Sequence, residues 1–397
     1  MRILIYGLNF YPEIIGAGKY THELAKYLGV NNEVRVITAN KYFPDWKVKD
    51  NYYRKEIIEN CLVFRSPIYV PKRPNGLRRL IHLISFALTS LPNLLRQKNW
   101  QPQIVITIVP TILIAQNVVF FKNLYGNDCK IWLHVQDLEI DAAKELGMVK
   151  SDFLFKLIIS FEKFMYKNFD QISTISNEMR EVIKKKINSS KEIYLIRNWI
   201  DTRKIKSKEE NKLAIKEIRQ SLNIKVSDIV IMYSGSISKK QDVDLLIYAI
   251  KATSNLSNLR WILSIEGPSK EFIVEATKNT KNLLITNLKK ESLFYSWLGV
   301  ADIHVLPQKS GINKFLMPSK VIGMLASGTP IVATTQKNSE LGKVISKSGI
   351  ATSPGSKESF LSAILYLSKN KELRSQLGRQ ARKIALNNYS QKNILNN

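Results

Sequence analysis

Short apolar, β-branched stretches alternate with longer helical patterns through the first half of the chain, break off in a polar, lysine-rich segment, and then begin again. Arg2 to Leu8, Glu33 to Thr38, Ile104 to Ile108, Lys130 to Val135, Gln171 to Ile175 and Glu192 to Ile196 read as the first set of strands. Asp228 to Tyr233, Arg260 to Ile265, Asn282 to Ile285, Asp302 to Leu306 and Ile331 to Thr334 read as the second. Strands joined by helical crossovers make a parallel sheet covered on both faces, so each set specifies one α/β layer structure. Asp201 to Asn223, between the sets, suits a linker and an entry helix. The chain's 397 residues exceed the usual size of a single core. The expected division is 1–202, 203–375 and a C-terminal helical segment, 376–397, that crosses back to the first domain.

Sixty Lys and Arg against thirty-three Asp and Glu give a net charge of +27. A positive field of that size favours an anionic partner, whether nucleic acid, an anionic membrane face or a phosphorylated substrate, though lysines spread along the whole chain also fit a simple compositional bias. Cys61 and Cys129 are too few for a disulfide framework, and no Cys/His spacing resembles a zinc site, so a reducing cytosol is expected. Arg2 to Tyr6 starts a strand and has none of the parts of a signal peptide. The apolar run Ile104 to Phe121 is divided by Pro110-Thr111 and interrupted by Gln116-Asn117, which makes it a strand, a turn and a buried helix. Leu80 to Leu95 is too short to span a bilayer comfortably. With Lys72-Arg73, Arg78-Arg79, Arg96 and Lys98 around it, it reads either as an interfacial membrane helix or as an ordinary domain helix. Lys184-Lys185-Lys186 reads as a solvated helix end.

Four segments carry candidate chemistry. Tyr6 to Glu13, followed by Gly16-Ala17-Gly18, puts glycines between a strand and a helix, where backbone N–H groups meet an anion or a hydroxyl. The remaining glycines of a dinucleotide fingerprint are missing. His134, Gln136, Asp137 and Glu139 follow a strand, the place where doubly wound sheets bind ligands and where His and carboxylates suit orientation or acid/base work. Tyr233 to Gln241 offers small residues and then Lys239 and Lys240, donors and point charges fit for a diphosphate, without the Walker pattern that ATP chemistry would need. Pro318, Ser319 and Lys320 open a helix, Val321 to Ala326, that ends at Ser327-Gly328-Thr329-Pro330, which makes its N-terminus an anion site and Gly328 a C-terminal cap. The alternative in every case is a purely structural role.

Taken together, these residues resemble the retaining glycosyltransferases of family 4, which have the GT-B fold of two Rossmann-like domains facing across a cleft. The resemblance spans nearly the whole chain. It is carried by Pro12 and Gly16 to Gly18, Leu195 to Asp201, Ser234-Gly235 with Lys240, Ala301 to Pro307, Ala326 to Thr334, Leu377-Gly378 and Ala381-Arg382. His134 to Asp137 and Met317 to Lys320 most resemble bacterial enzymes that build colanic acid, capsule or O-antigen polysaccharides, some of them fucosyl or N-acetylfucosaminyl transferases.

The resemblance implies a nucleoside-diphosphate sugar as donor and a saccharide acceptor, with no cofactor, no metal and no nucleic acid. Lys240, Lys320, His134 and Asp137 are the implied catalytic residues. Gly16, Gly18, Gly235, Ser236, Asn287, Leu288, Pro318, Ser319 and Glu340 would meet the donor, and Tyr11, Gln136 and Glu139 the acceptor. An undecaprenyl-diphosphate-linked acceptor would give the Lys72 to Lys98 segment a purpose, as a peripheral contact on the anionic cytoplasmic leaflet. Most of the family has two glutamates eight positions apart where this chain has Phe315 and Gly323, so donor identity does not carry over. Two rivals are a nucleotide-sugar 2-epimerase of the same architecture and a basic nucleic-acid-binding protein. Donor turnover without acceptor would favour the first, and salt-dependent DNA binding the second.

Overall fold

The computed structural model describes residues 1–13, 16–43, 46–72, 76–109, 112–126, 128–147, 151–188, 190–315 and 317–396. Arg73, Pro110 and Thr111, used in the sequence reading, lie outside the described residues. The chain forms two compact units, Met1–Arg197 and Asn198–Asn397.

The first unit holds β1 (Arg2–Gly7), β2 (Glu33–Ala39), β3 (Arg54–Ile58), β4 (Cys61–Ser66), β5 (Ile104–Val109), β6 (Lys130–Val135), β7 (Gln171–Thr174) and β8 (Ile193–Leu195). Its helices are α1 (Ala17–Leu28), α2 (Gly76–Leu95), α3 (Ile112–Tyr125), α4 (Glu139–Glu145), α5 (Asp152–Asn168) and α6 (Asn177–Ile187). The sheet order is β3-β4-β2-β1-β5-β6-β7-β8, parallel throughout except for the antiparallel pair β3–β4. That hairpin is absent from the sequence reading because β3 is an edge strand, Arg-Lys-Glu-Ile-Ile, whose charges hide the strand pattern.

The second unit holds β9 (Ile229–Ser236), β10 (Leu259–Glu266), β11 (Leu283–Thr286), β12 (Ile303–Leu306), β13 (Ile331–Thr334) and β14 (Gly349–Thr352), all parallel in the order β11-β10-β9-β12-β13-β14. Its helices are α7 (Lys212–Ser221), α8 (Val243–Ala252), α9 (Lys270–Thr277), α10 (Glu291–Gly299), α11 (Lys320–Ala326), α12 (Glu340–Ser348), α13 (Lys357–Lys369), α14 (Lys371–Asn388) and α15 (Gln391–Leu395). Residues along β9 alternate between two cores. Ile231 and Tyr233 pack with Leu246, Trp261 and Phe360, while Val230 and Met232 pack with Ile262, Trp297 and Leu298. Both faces are therefore covered, as the near-continuous apolar strands require.

The unit boundary falls before the expected one near residue 203 because Ile200 and Ile205 are buried in the second unit's core. Ile200 also exchanges backbone hydrogen bonds with the end of the chain, from its N–H to Tyr389 O at 2.8 Å and to its own carbonyl from Gln391 N at 2.9 Å. The stretch 376–397, expected as a separate segment, belongs to this unit, where α14 packs on α11 and α12. Gly328 follows α11 with φ of 70° and caps it, and Arg382 of α14 donates to the otherwise orphaned Ala326 O at 2.7 Å.

A Cβ at position 378 would run into the Gly328 carbonyl oxygen. Gly378→Ala gains roughly 1 kcal/mol of helix propensity, but the clash is with backbone that cannot swing aside, and overpacking of that kind costs about 1–3 kcal/mol. The expected outcome is a net loss of stability, read as a lower denaturant midpoint. An unchanged midpoint would show that α14 shifts freely.

Lys184-Lys185-Lys186 is not simply a solvated helix end. Lys186 is buried, with Nζ 2.6 Å from Asp141 Oδ2 of α4 and bonded to Glu162 Oε2 of α5. Tyr166 donates to the other Glu162 oxygen at 2.8 Å.

Candidate donor and acceptor sites

In an open α/β sheet, ligands gather beyond the carboxyl ends of the strands, where the strand order reverses direction. In the second unit that point is β9, flanked by β10 on one side and β12 on the other. Gly235, near the end of β9, has φ of 140°, and a Cβ there would sit 3.0 Å from Lys320 Cε. The glycine thus clears a channel along which the Lys320 stem reaches the strand end. Its ammonium donates to Tyr233 Oη at 2.6 Å and to Ser236 O at 2.7 Å, and lies 4.7 Å from the centre of the Tyr233 ring. Burial, and then the nearby Lys240 ammonium, bring the Lys320 amine far below an ordinary lysine, to about 7. Beside Gly235, the Ser234 hydroxyl is buried and makes no hydrogen bond among the described residues.

The loop after β9 is tied to the loop after β12. Gln241 bridges Gln308, and Gln241 Oε1 accepts from Ser238 N at 2.9 Å. Lys309 N donates to Lys240 O at 3.2 Å. These bonds fix the backbone around Lys240 next to the strand end that carries Lys320. Ser319 is the N-cap of α11, one position outside the first turn where the sequence placed it, and its side chain makes no capping bond. Pro318 precedes the cap, and both residues are half-buried. At position 323 a side chain would begin 3.2 Å from Leu298 Cδ1, so packing against α10 fills the room beside that glycine.

Asn287 and Leu288 follow β11. Asn287 is exposed, its carbonyl accepts from Ser264 Oγ at 3.0 Å, and its side-chain oxygen accepts from Lys270 Nζ at 2.6 Å. Glu340 is the first residue of α12, behind Ser339, whose hydroxyl caps the helix by accepting from Gly342 N at 2.9 Å. An acidic residue in that first turn suits the helix dipole.

In the first unit, Gly16 takes φ of 61° at the N-cap of α1, and a Cβ on Gly18 would lie 2.6 Å from Glu13 O. Two buried charges to which the sequence reading gave no role lie at Glu13 and Arg65. Glu13 accepts from Tyr42 N at 3.0 Å, Phe43 N at 2.9 Å and Asn9 Nδ2 at 2.6 Å. Arg65, on β4, donates to Ala39 O at 3.1 Å, to Glu56 Oε1 at 2.5 Å and to Tyr11 O. Burial raises the Glu13 carboxyl and lowers the Arg65 guanidinium from their ordinary ranges, opposed by these hydrogen bonds and charges. Tyr11 itself is exposed, its ring centre 4.8 Å from that of His22.

His134 is buried, with Nδ1 2.8 Å from Ser173 Oγ and Nε2 accepting from Gln136 Nε2 at 2.8 Å. Burial lowers it to about 4. With both ring nitrogens bonded inside the sheet and no proton to exchange near neutrality, its geometry suits fixing Gln136 and not the acid/base work suggested by the sequence. Asp137 is half-buried, and Glu139 opens α4, where it accepts from Arg79 of α2 at 2.7 Å. Among the described residues no group of three or more His, Cys, Asp or Glu could hold a metal ion, and no helix is long and apolar enough to cross a membrane.

Residues 14–204 match the Glycosyltransferase Family 4 domain, and residues 214–384 match the domain described as glycosyl transferases group 1. WcaI of Escherichia coli (strain K12), whose name assigns it to colanic acid biosynthesis as a glycosyl transferase, is 33% identical over 356 residues, 87% of this chain and 86% of that one. The chain belongs to glycosyltransferase family 4. Solved structures agree on the GT-B fold of this family 4 protein. Sucrose-phosphate synthase from Thermosynechococcus elongatus aligns with a TM-score of 0.77 at 13% identity, covering 99% of this chain and 96% of that one. HepE of Anabaena, solved with UDP-glucose, aligns at 0.70 and 12% identity, covering 99% and 97%. The family 4 protein is therefore a glycosyltransferase with two parallel-sheet α/β units.

Proposed function

We propose that this glycosyltransferase moves a sugar, with retention of configuration, from a nucleoside-diphosphate sugar to an undecaprenyl-diphosphate-linked saccharide in the synthesis of colanic acid or a related capsule or O-antigen polysaccharide. One observation carries the donor half of the reading: the Lys320 ammonium, beside Lys240, anchored at the carboxyl end of β9. Lys320, Lys240, Ser236 and Ser319 stabilise the charge that develops on the departing diphosphate, and the two lysines do what a divalent cation does elsewhere. The diphosphate takes the acceptor proton as the new glycosidic bond forms on the face the leaving group departs from. Backbone near Asn287 and Leu288 meets the base, and Glu340 a ribose or sugar hydroxyl. Gly16 and Gly18 bring backbone close to the donor, while Tyr11, Gln136, Asp137 and Glu139 meet the acceptor and His134 fixes Gln136. The WcaI likeness supports the pathway class, and the UDP-glucose bound by HepE supports the donor class. A thermal-shift screen against UDP-, GDP- and TDP-sugars, followed by transfer to lipid-linked acceptors, tests it. Silence with every nucleotide sugar would sink the donor reading, and donor turnover without acceptor would favour an epimerase.

The enzyme works at the inner face of the cytoplasmic membrane in this reading. Support comes from α2, which buries His82, Phe86, Ser90 and Leu94 but leaves Leu77, Leu80, Ile81, Ile84 and Leu88 exposed on one stripe. Each near-surface Arg contributes about 1 kcal/mol toward an anionic leaflet. Arg78→Glu with Arg96→Glu should abolish cosedimentation with phosphatidylglycerol vesicles, and unchanged binding would refute the contact. Arg79 is left intact because its pairing with Glu139 would confound the result.

A further inference from the structure

We propose that Tyr233 is a positioning residue: its hydroxyl holds the Lys320 ammonium at the end of β9, with one N–H directed to neither anchor and left for the donor diphosphate. The inference rests on the donor site proposed above. Tyr233 is fully buried on β9, and its hydroxyl donates to Ser236 O at 2.7 Å. With its hydrogen committed there, the phenol oxygen presents lone pairs to Lys320 Nζ at 2.6 Å, while Nζ also donates to Ser236 O at 2.7 Å. Nitrogen, phenol oxygen and carbonyl oxygen close a triangle in which every bond has a donor and an acceptor. Nζ lies 4.7 Å from the ring centre, on the hydroxyl side. Three hydrogens sit on a lysine ammonium and the triangle takes two. Gly235 keeps the stem side of the channel open, since a Cβ there would press on Cε at 3.0 Å and Nζ at 3.1 Å. A flexible four-carbon chain is thereby held in one place before ligand arrives, which removes ordering cost from binding.

Among the described residues, Tyr233 and Lys240 are the titratable groups seen to bear on this ammonium. Lys240 disfavours its charge and the Tyr233 oxygen favours it, so removing the oxygen should make Lys320 easier to deprotonate.

Tyr233→Phe keeps the ring and deletes only the hydroxyl. The Lys320 titration midpoint, near 7 in the parent protein, should fall by about one pH unit when followed by NMR of 13Cε-labelled lysine, assigned by its loss in Lys320→Ala. Inorganic diphosphate and UDP should bind about tenfold more weakly at pH 7.5, with the gap closing near pH 5, where Lys320 is charged in both proteins. A merely structural tyrosine would lower stability and leave both pH profiles where they were, and that result overturns the proposal. If the Lys320 midpoint moves but neither anion binds either protein, the positioning stands and the donor reading falls. Gly235→Ala disturbs the same ammonium with the phenol intact. It should weaken diphosphate binding at pH 7.5 in the same direction, and unchanged binding there would also count against the proposal.

Discussion

Lys320→Ala should lower kcat/KM with a nucleotide-sugar donor by about 100- to 1,000-fold, the usual cost of removing one preorganised donor to a developing oxyanion. The fold should survive, because Ser236 O keeps its bond from Tyr233 and α11 retains its buried apolar residues. The pH dependence separates this lysine from an ordinary surface charge. In the free protein its amine titrates near 7 instead of 10.5, through burial first and Lys240 second. Between those two values the unfolded chain carries a proton on this lysine and the folded one does not. Stability from this group therefore rises with pH across that window and is smallest below 7. A bound diphosphate reverses the preference by favouring the ammonium. Donor binding at pH 8 should therefore take up a proton, visible as a dependence of calorimetric enthalpy on the buffer's ionisation enthalpy. Affinity should fall by up to tenfold per pH unit above 7. In Lys320→Ala both the proton uptake and that slope should vanish; if the slope persists, some other group carries the charge.

Lys186→Ala should destabilise the first unit by about 3–5 kcal/mol, the cost of removing one partner from a buried ion pair. Side-chain exposure is 6% for Lys186, 4% for Glu162 and 12% for Asp141, so water cannot replace the lost ammonium. Glu162 suffers most, since burial already raises its carboxyl against the pull of Lys186. The triple variant Lys186→Met, Glu162→Gln, Asp141→Asn removes all three charges and should recover much of the loss, the contrast that identifies desolvated charge and not lost volume as the cause. Hydrogen–deuterium exchange of the α4, α5 and α6 amides across a urea series reads the effect in that unit. A loss under about 1 kcal/mol would mean that the cluster is hydrated. Because Asp141 and Glu139 share α4, the same variant should loosen the helix that presents Glu139.

Strands whose apolar residues carry their own pattern could be read from the sequence, but their order in each sheet could not, since it is set by long-range pairing. The β3–β4 hairpin could not, because its charged edge strand and the buried Arg65 imitate a surface loop. Gly328 was legible as a helix cap, since a local rule governs it, whereas the reason for Gly378 lies fifty positions away against Gly328 O. The candidate site divides the same way. Small residues followed by lysine marked Gly235, Ser236 and Lys240, but nothing local says that Tyr233 meets Lys320 or that the nitrogens of His134 are both engaged. Long-range partners decide whether a polar residue is exposed chemistry or buried scaffold. Glu13 and Arg65 are the clearest instance, two charges without a role in the sequence reading that tie down the backbone around Tyr11, Ala39, Tyr42 and Phe43.

That turn bears on how the enzyme can diversify. The backbone at Tyr11 and Glu13 is held by side chains turned inward, through Glu13 to the amides of Tyr42 and Phe43 and through Arg65 to Ala39 O and Tyr11 O, and the bond at Tyr11 is to its carbonyl. The Tyr11 ring, 42% exposed, is therefore a passenger on a backbone that holds still without it. Selection can exchange the passenger while the anchors stay, so if Tyr11 meets the acceptor as proposed, that contact can vary without the domain first being rebuilt.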